Sequence, residues 1–290
     1  MANYKQITTG LPLPPACGWA LISNAWTKYY ALCRPTRVHS ISGAPRGAFP
    51  HRLPPRTSCG WIKTPPRAVP KDAWFVRADA AHLPFRDSTF EAIVSNHSLE
   101  HFTDLNGALA ELRRVLCESG ALFVAVPDAS TFTDKLYRWL ARGGGHVNAF
   151  VSERDTIAKI SQATGLPHRA TRVLCSSLSF LNRRNSPRPI PRRLILLGAG
   201  YEWSLRLYVR LSRRLDRCLG TRLSVYGWAF YFGNVPANIS TEPAKNVCIR
   251  CGSGTPCSEV AHHIRQNAFH VSSYLCPRCG ARNPFMSSLT

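Results

Sequence analysis

Two short apolar runs, Glu91-Ala-Ile-Val-Ser95 and Ala121-Leu-Phe-Val-Ala-Val126, do not alternate with polar residues. Strands covered on both faces, as in a parallel sheet, read this way. Between them Leu105, Ala108, Leu109, Leu112, Val115 and Leu116 recur at helical spacing and define one apolar face. Thr103 or Asp104 is placed to cap that helix, and Ser119-Gly120 to stop it. Strand, helix and strand at this spacing predict a βαβ crossover. Residues 74–77, 169–175 and 223–232 read as further strands, and residues 132–140 as a helix. A third helix is expected over residues 152–163, capped by Ser152, with Glu153 and Asp155 at its positive end. The expected class is α/β. Ligands of open α/β sheets bind beyond the carboxyl ends of strands, which is where Asp79 and Asn96-His97 fall.

Composition divides the chain. Residues 1–71 contain no Asp or Glu but ten Lys or Arg and eleven Pro. Proline at that density argues against helix interiors and central strands, so this segment is expected to be disordered. A basic, acid-free leader is one explanation; replacement of an original N-terminal half is the other, favoured by the length of the anomaly. A domain is expected over residues 72–235. The formal net charge of +21 permits attraction to nucleic acid, anionic lipid or acidic polymers without choosing among them. No run reaches eighteen apolar residues, so no transmembrane helix is expected.

An ordered set of motifs carries a resemblance. Ala78-Asp79-Ala80-Ala81-His82-Leu83-Pro84-Phe85 is followed by Asp87 and Phe90, then Ser95-Asn96-His97-Ser98-Leu99-Glu100-His101, then Arg114-Val115-Leu116 with Ser119-Gly120. This series resembles the class I S-adenosylmethionine-dependent methyltransferases that act mostly on small molecules, over about residues 74–155 and more faintly to 235. The resemblance implies a Rossmann-like methyltransferase sheet whose N-terminal part is incomplete. It implies that Asp79 accepts a hydrogen bond from the adenine amino group, with Ala80 beside the ring. Asn96 and His97 would line the methionine end of the cofactor, and His101 would stand near the sulfonium. The family's glycine loop and ribose-binding acid should precede Trp74. Gly43-Ala-Pro-Arg-Gly47 follows no apolar strand, and residues 1–71 offer no acid. His146 is read as a hinge beside glycines or as a proton acceptor.

Residues 183–222 form a basic insertion. Within it Leu205, Tyr208, Leu211 and Leu215 share a helical face, with Arg206, Arg210, Arg213, Arg214 and Arg217 largely elsewhere. Such a helix can cap a substrate pocket or lie on an anionic membrane surface.

Further on, over residues 244–286, Cys248-Ile-Arg-Cys251-Gly and Cys276-Pro-Arg-Cys279-Gly stand 24 residues apart. Paired Cys-x-x-Cys spacing lets four thiolates close around one tetrahedral Zn²⁺, a structural site without catalysis, and resembles a zinc ribbon. Thiolate metal sites fit a reducing compartment, hence a cytoplasmic location. Cys257, His262, His263 and His270 are read as loop residues between the pairs.

Two functions follow. One is methyl transfer from S-adenosylmethionine to a small-molecule or lipid-like acceptor. The other is a non-catalytic zinc-containing binding protein that contacts nucleic acid or an anionic partner.

Overall fold

The computed structural model describes residues 18–22, 29–34, 57–61, 74–140, 146–184, 195, 200–237, 239, 241–243, 245–255, 257–260, 264–266 and 272–285. Eight strands form one sheet in the order β4-β2-β3-β1-β5-β6-β8-β7. They are β1 (Gly18–Ile22), β2 (Tyr29–Arg34), β3 (Thr57–Trp61), β4 (Trp74–Ala78), β5 (Phe90–Asn96), β6 (Leu116–Pro127), β7 (His168–Cys175) and β8 (Val225–Gly233). β1 pairs in parallel with β3 on one side and β5 on the other, and β5 pairs in parallel with β6. β2 runs antiparallel to β3 and β4, and β8 antiparallel to β6 and β7.

From β1 the chain first lays β2, β3 and β4 to one side, then β5 to β8 to the other. The strand order therefore reverses between β1 and β5. The crevice beyond their carboxyl ends is the ligand position that such a sheet offers.

The three strands within residues 1–71 differ from the strand-free segment that the prolines suggested. The reason is local: none of Gly18–Ile22, Tyr29–Arg34 or Thr57–Trp61 contains proline, and all eleven prolines fall between or around them. Proline punctuates these strands and so removes no ladder donor from them. The connecting stretches, Gly43 to Gly47 included, lie outside the described residues. So do residues 141–145, the arginines at 188, 192 and 193, and His262, His263 and His270.

β5, β6 and β8 are buried on both faces, which explains their unbroken apolar runs. Ile93, Leu122, Val124, Val126, Phe230 and Phe232 pack on one side with α1 (Leu105–Val115) and α3 (Glu153–Thr164). Ala92, Val94, Phe123, Ala125, Ala229 and Tyr231 pack on the other. Asp104 caps α1 by accepting the Gly107 N–H at 2.8 Å, and Leu105, Ala108, Leu109, Leu112 and Val115 form its buried face. Ser152 caps α3 by accepting the Asp155 N–H at 3.2 Å.

Arg114, near the end of α1, fixes the loop that leaves β4. It donates to the Phe85 carbonyl (2.7 Å), the Leu83 carbonyl (2.9 Å) and Asp87 Oδ1 (2.7 Å), while its Nε meets Glu111 Oε1 at 2.6 Å. Glu111 in turn accepts the Leu83 N–H at 2.7 Å.

α4 (Glu202–Leu219) buries Leu205, Val209 and Arg213, an i, i+4 series. Leu205 and Val209 pack with Leu181 and Ile249, so this face receives the cysteine-rich segment. The expected grouping of Leu205 with Leu211 and Leu215 fails because the helix carries two apolar faces. Trp203, Leu207, Leu211, Leu215 and Leu219 are all exposed, between 40% and 68%.

Candidate functional site

At the carboxyl end of β5 the backbone turns sharply. His97 adopts φ 51°, a left-handed conformation uncommon for a residue with a side chain, while its N–H still bonds the Ala125 carbonyl at 2.9 Å. A 3-10 turn, Leu99–His101, follows at once. Asn148 then ties a distant segment onto that turn. Its side-chain amide donates to the Leu99 carbonyl (3.0 Å) and the Phe102 carbonyl (2.7 Å), and the N–H groups of Val147 and Asn148 both bond the Glu100 carbonyl.

This knot carries His146 to His101. The two rings meet edge to face with centroids 4.7 Å apart, and the His146 ring also lies 5.4 Å from that of Tyr137. Glu100, 1% exposed, places Oε1 3.8 Å from His101 Nε2 and 3.9 Å from His97 Nδ1. From α2 (Phe132–Leu140) comes Asp134, fully buried, with Oδ1 3.4 Å from His146 Nδ1 and Oδ2 bonded to Arg138. Burial opposes ionisation of Asp134, but His146 and Arg138 outweigh it and hold the carboxyl below its ordinary value. His97 is the opposite case. Burial, with His146 and His101 as neighbours, lowers it to about 4 despite Asp134, so its imidazole is neutral at pH 7.

Three histidines and two acids thus converge beside the β1/β5 crevice. His97 and His101 were expected there. His146 is a buried member of the cluster, where the sequence suggested a glycine hinge or a proton acceptor. Glu100, Asp134 and Tyr137 were missed. The Asp134/Arg138 spacing of four on one helix and the His-x-Asn pair at 146 and 148 were the available signals.

The other expected cofactor residues are spread out. Asn96 ends β5, and its Oδ1 is buried with no hydrogen-bond partner among the described residues. Asp79 directly follows β4 at the far edge of the sheet; its side chain is 65% exposed, and Oδ1 accepts the Ala81 N–H at 3.0 Å. The Ala80 methyl is buried in the main core with Leu83 and Phe85.

Cys248, Cys251, Cys276 and Cys279 come together as a separate cluster. The Cys248–Cys279 sulfurs are 3.5 Å apart and the Cys251–Cys276 sulfurs 3.7 Å. Four thiolates at about 2.3 Å from a tetrahedral Zn²⁺ stand about 3.8 Å from one another, so the donor set fits the ion. Gly252 (φ 68°) and Gly280 (φ 69°) make the same left-handed turn after each pair, and each N–H bonds back to the carbonyl of Cys248 or Cys276. Three short strands, β9 (Arg265–Gln266), β10 (Ser272–Leu275) and β11 (Arg282–Pro284), accompany the cluster. The module is anchored to the rest of the chain. Ser177 donates to the Cys248 carbonyl, Asn182 to the Ile249 carbonyl, and Arg250 pairs with Glu202 of α4.

The sheet is mixed, with a polar cluster beside the point where its strand order reverses, and the comparisons with known proteins say what this segment resembles. Residues 58–124 match a family model described as a methyltransferase domain. The chain is similar to class I S-adenosylmethionine-dependent methyltransferases over that segment. It is 39% identical over 70 residues to a demethylmenaquinone methyltransferase of Thermotoga maritima, covering 23% of this chain and 31% of that protein. It is 29% identical over 167 residues to a malonyl-[acyl-carrier protein] O-methyltransferase of Halorhodospira halophila, covering 57% and 51%. The chain thus spans about half or less of these two curated relatives. A solved structure of a putative methyltransferase from Bacillus halodurans C-125 aligns with TM-score 0.35 and 16% identity, over 56% of this chain and 71% of that one.

Proposed function

We propose that this chain carries a class I methyltransferase sheet whose S-adenosylmethionine site is half built. The observation that carries the reading is the placement of Asn96, His97 and His101 at the carboxyl end of β5, beside the switch point and within the segment similar to methyltransferase domains. The methionine end of the cofactor would lie against these residues and its adenine toward the exposed Asp79 carboxylate, with Ala80 backing that loop from the core. Methyl transfer depends chiefly on in-line positioning of the acceptor, so no residue is assigned as catalytic base. The acceptor is a small or lipid-like molecule, by analogy with relatives named for a quinone precursor and a carrier-bound malonyl group.

The other half of the site is weak. Only residues 23–28 join β1 to β2, and they contain no glycine. No acid lies within residues 1–71 to hold ribose hydroxyls. Loss of a charge-assisted ribose contact and of the loop's backbone donors costs about 3–6 kcal/mol, taking about 1.5–3 per bond. That is a factor of about a hundred or more in affinity. Calorimetric titration with S-adenosylmethionine is therefore expected to give weak binding or none. A chimaera with an ordinary strand–glycine loop–helix–strand unit before Trp74 is expected to regain it, and Asp79→Ala to weaken it again. Micromolar binding by the chain as it stands would overturn the half-built site. The glycine-free connection also favours the second reading, a non-catalytic binding protein on a degenerate methyltransferase sheet; failure of the chimaera to bind would select it.

The four cysteines would hold one structural Zn²⁺ with no open position for chemistry. The exposed face of α4 would rest on an anionic lipid surface. Trp203, Leu207, Leu211 and Leu215 form its apolar stripe, with Arg206, Arg210, Arg214 and Arg217 beside it for anionic head groups. None of the described helices is long and apolar enough to cross a membrane. Sedimentation with phosphatidylserine vesicles is expected to carry the protein down at low salt, and reversal of Arg206, Arg210 and Arg214 to release it. Equal sedimentation of the reversed variant would remove this role.

A further inference from the structure

We propose that Glu100, His101 and His146 form a second cation site, distinct from the four cysteines and fitted to a divalent first-row metal ion. The ligand atoms of these three residues all lie within 4.8 Å of one another. All three side chains are largely buried, at 1%, 9% and 3% exposure. Two imidazoles and one carboxylate suit borderline ions such as Mn²⁺, Fe²⁺ or Zn²⁺, and three protein ligands leave coordination positions open. Ligand atoms about 2.1 Å from a shared ion stand about 3–3.5 Å apart, so binding requires the group to close by up to about 1–2 Å.

The surroundings support a site built for a ligand. Asp134 Oδ1 lies at His146 Nδ1, which leaves the Nε2 lone pair for an ion; a carboxylate behind a histidine is the usual device for orienting a metal ligand. Arg138 holds that carboxylate from the other side. The backbone of residues 146–148 is fixed to the 3-10 turn by three hydrogen bonds to the Leu99, Glu100 and Phe102 carbonyls and a fourth from Val147, so the distant histidine is preset against its partners. His97 stands next to the group, with Nδ1 3.9 Å from the same Glu100 oxygen. That Nδ1 and the neighbouring Asn96 Oδ1 are buried with no hydrogen-bond partner among the described residues. Polar atoms buried without a partner are costly unless a ligand satisfies them.

The cation site does not depend on methyl transfer. If the methyltransferase reading holds as well, the ion would stand at the methionine end of the cofactor crevice, where its open positions suit an oxygen of the methyl acceptor. Cation binding alone is what the experiment reads.

Mn²⁺ is the chosen probe, because four thiolates disfavour it and the cysteine cluster stays silent. The full chain, purified with zinc in place, would be titrated with Mn²⁺ and the free ion followed by electron paramagnetic resonance. One equivalent is expected to disappear from the free signal. Glu100→Gln, nearly the same shape, is expected to weaken binding tenfold or more, as is His146→Ala. In parallel, Mn²⁺ is expected to slow modification of the histidines by diethyl pyrocarbonate in the wild-type chain, a readout that needs no variant to fold. The proposal is overturned if Mn²⁺ stays free at millimolar supply, if Glu100→Gln binds as tightly as the wild type, or if histidine modification is unaffected.

Discussion

The two side-chain clusters of this protein are built by opposite routes. Each half of the cysteine cluster is local: two residues separate the sulfur ligands, and a left-handed glycine follows them, as at Cys248/Cys251/Gly252 and Cys276/Cys279/Gly280. The polar cluster at the end of β5 draws on three chain segments. His97, Glu100 and His101 come from the turn after the strand, Asp134 from α2, and His146 from a segment held by Asn148. A spacing rule finds the first kind. Only a folded chain reveals the second.

Substitutions should separate the two. The largest effect is expected from Cys276→Ser, because a module of about 40 residues has little core, and a structural zinc bound there would supply on the order of 10 kcal/mol of its folding free energy. Elemental analysis should find about one zinc per chain in the wild type and none in the variant, with proteolysis confined to the region after residue 244. Full zinc occupancy in the variant would break the assignment. Next comes Asp134→Asn. Loss of a carboxylate behind a ligating histidine typically costs about 10–100-fold in metal affinity, so Mn²⁺ binding should fall by that factor while zinc content stays unchanged. A fall in zinc would mean that the clusters are coupled. The smallest effect belongs to Gly280→Ala. Nothing lies within 4 Å of the added methyl, so the cost is the left-handed backbone alone, about 1–2 kcal/mol, visible as a lower midpoint of zinc release by a chelator.

What was legible in the sequence follows the same division. β5, α1 and β6 could be read because their burial is regular: Ile93 and Leu122 turn to one side, Ala92 and Phe123 to the other, and the helix face repeats. The α4 stripe was misread because period alone counts apolar faces without saying which one has a neighbour. Leu205 and Val209 are buried because Ile249, forty residues on, packs against them. In residues 1–71 proline density describes the connections only, since the three short strands between them contain none. His146 was the hardest case. The His-x-Asn pair marks a polar spot, but not that Asn148 will bond carbonyls 46 and 49 residues upstream.

The two-faced α4 has a consequence for the fate of the molecule should the cysteine module lose a bound metal. Its exposed stripe already presents Trp203, Leu207, Leu211 and Leu215, and its inner face is covered partly by Ile249 of the cysteine module. Collapse of that module would uncover Leu205 and Val209 as well, giving a helix with apolar flanks on both sides and only an arginine band between them. Such a surface sticks to its own kind. Chelation should therefore convert this protein into a self-associating one, with turbidity rising in step with metal loss, and the thiolate cluster would serve the solubility of the whole chain as much as the shape of its tail.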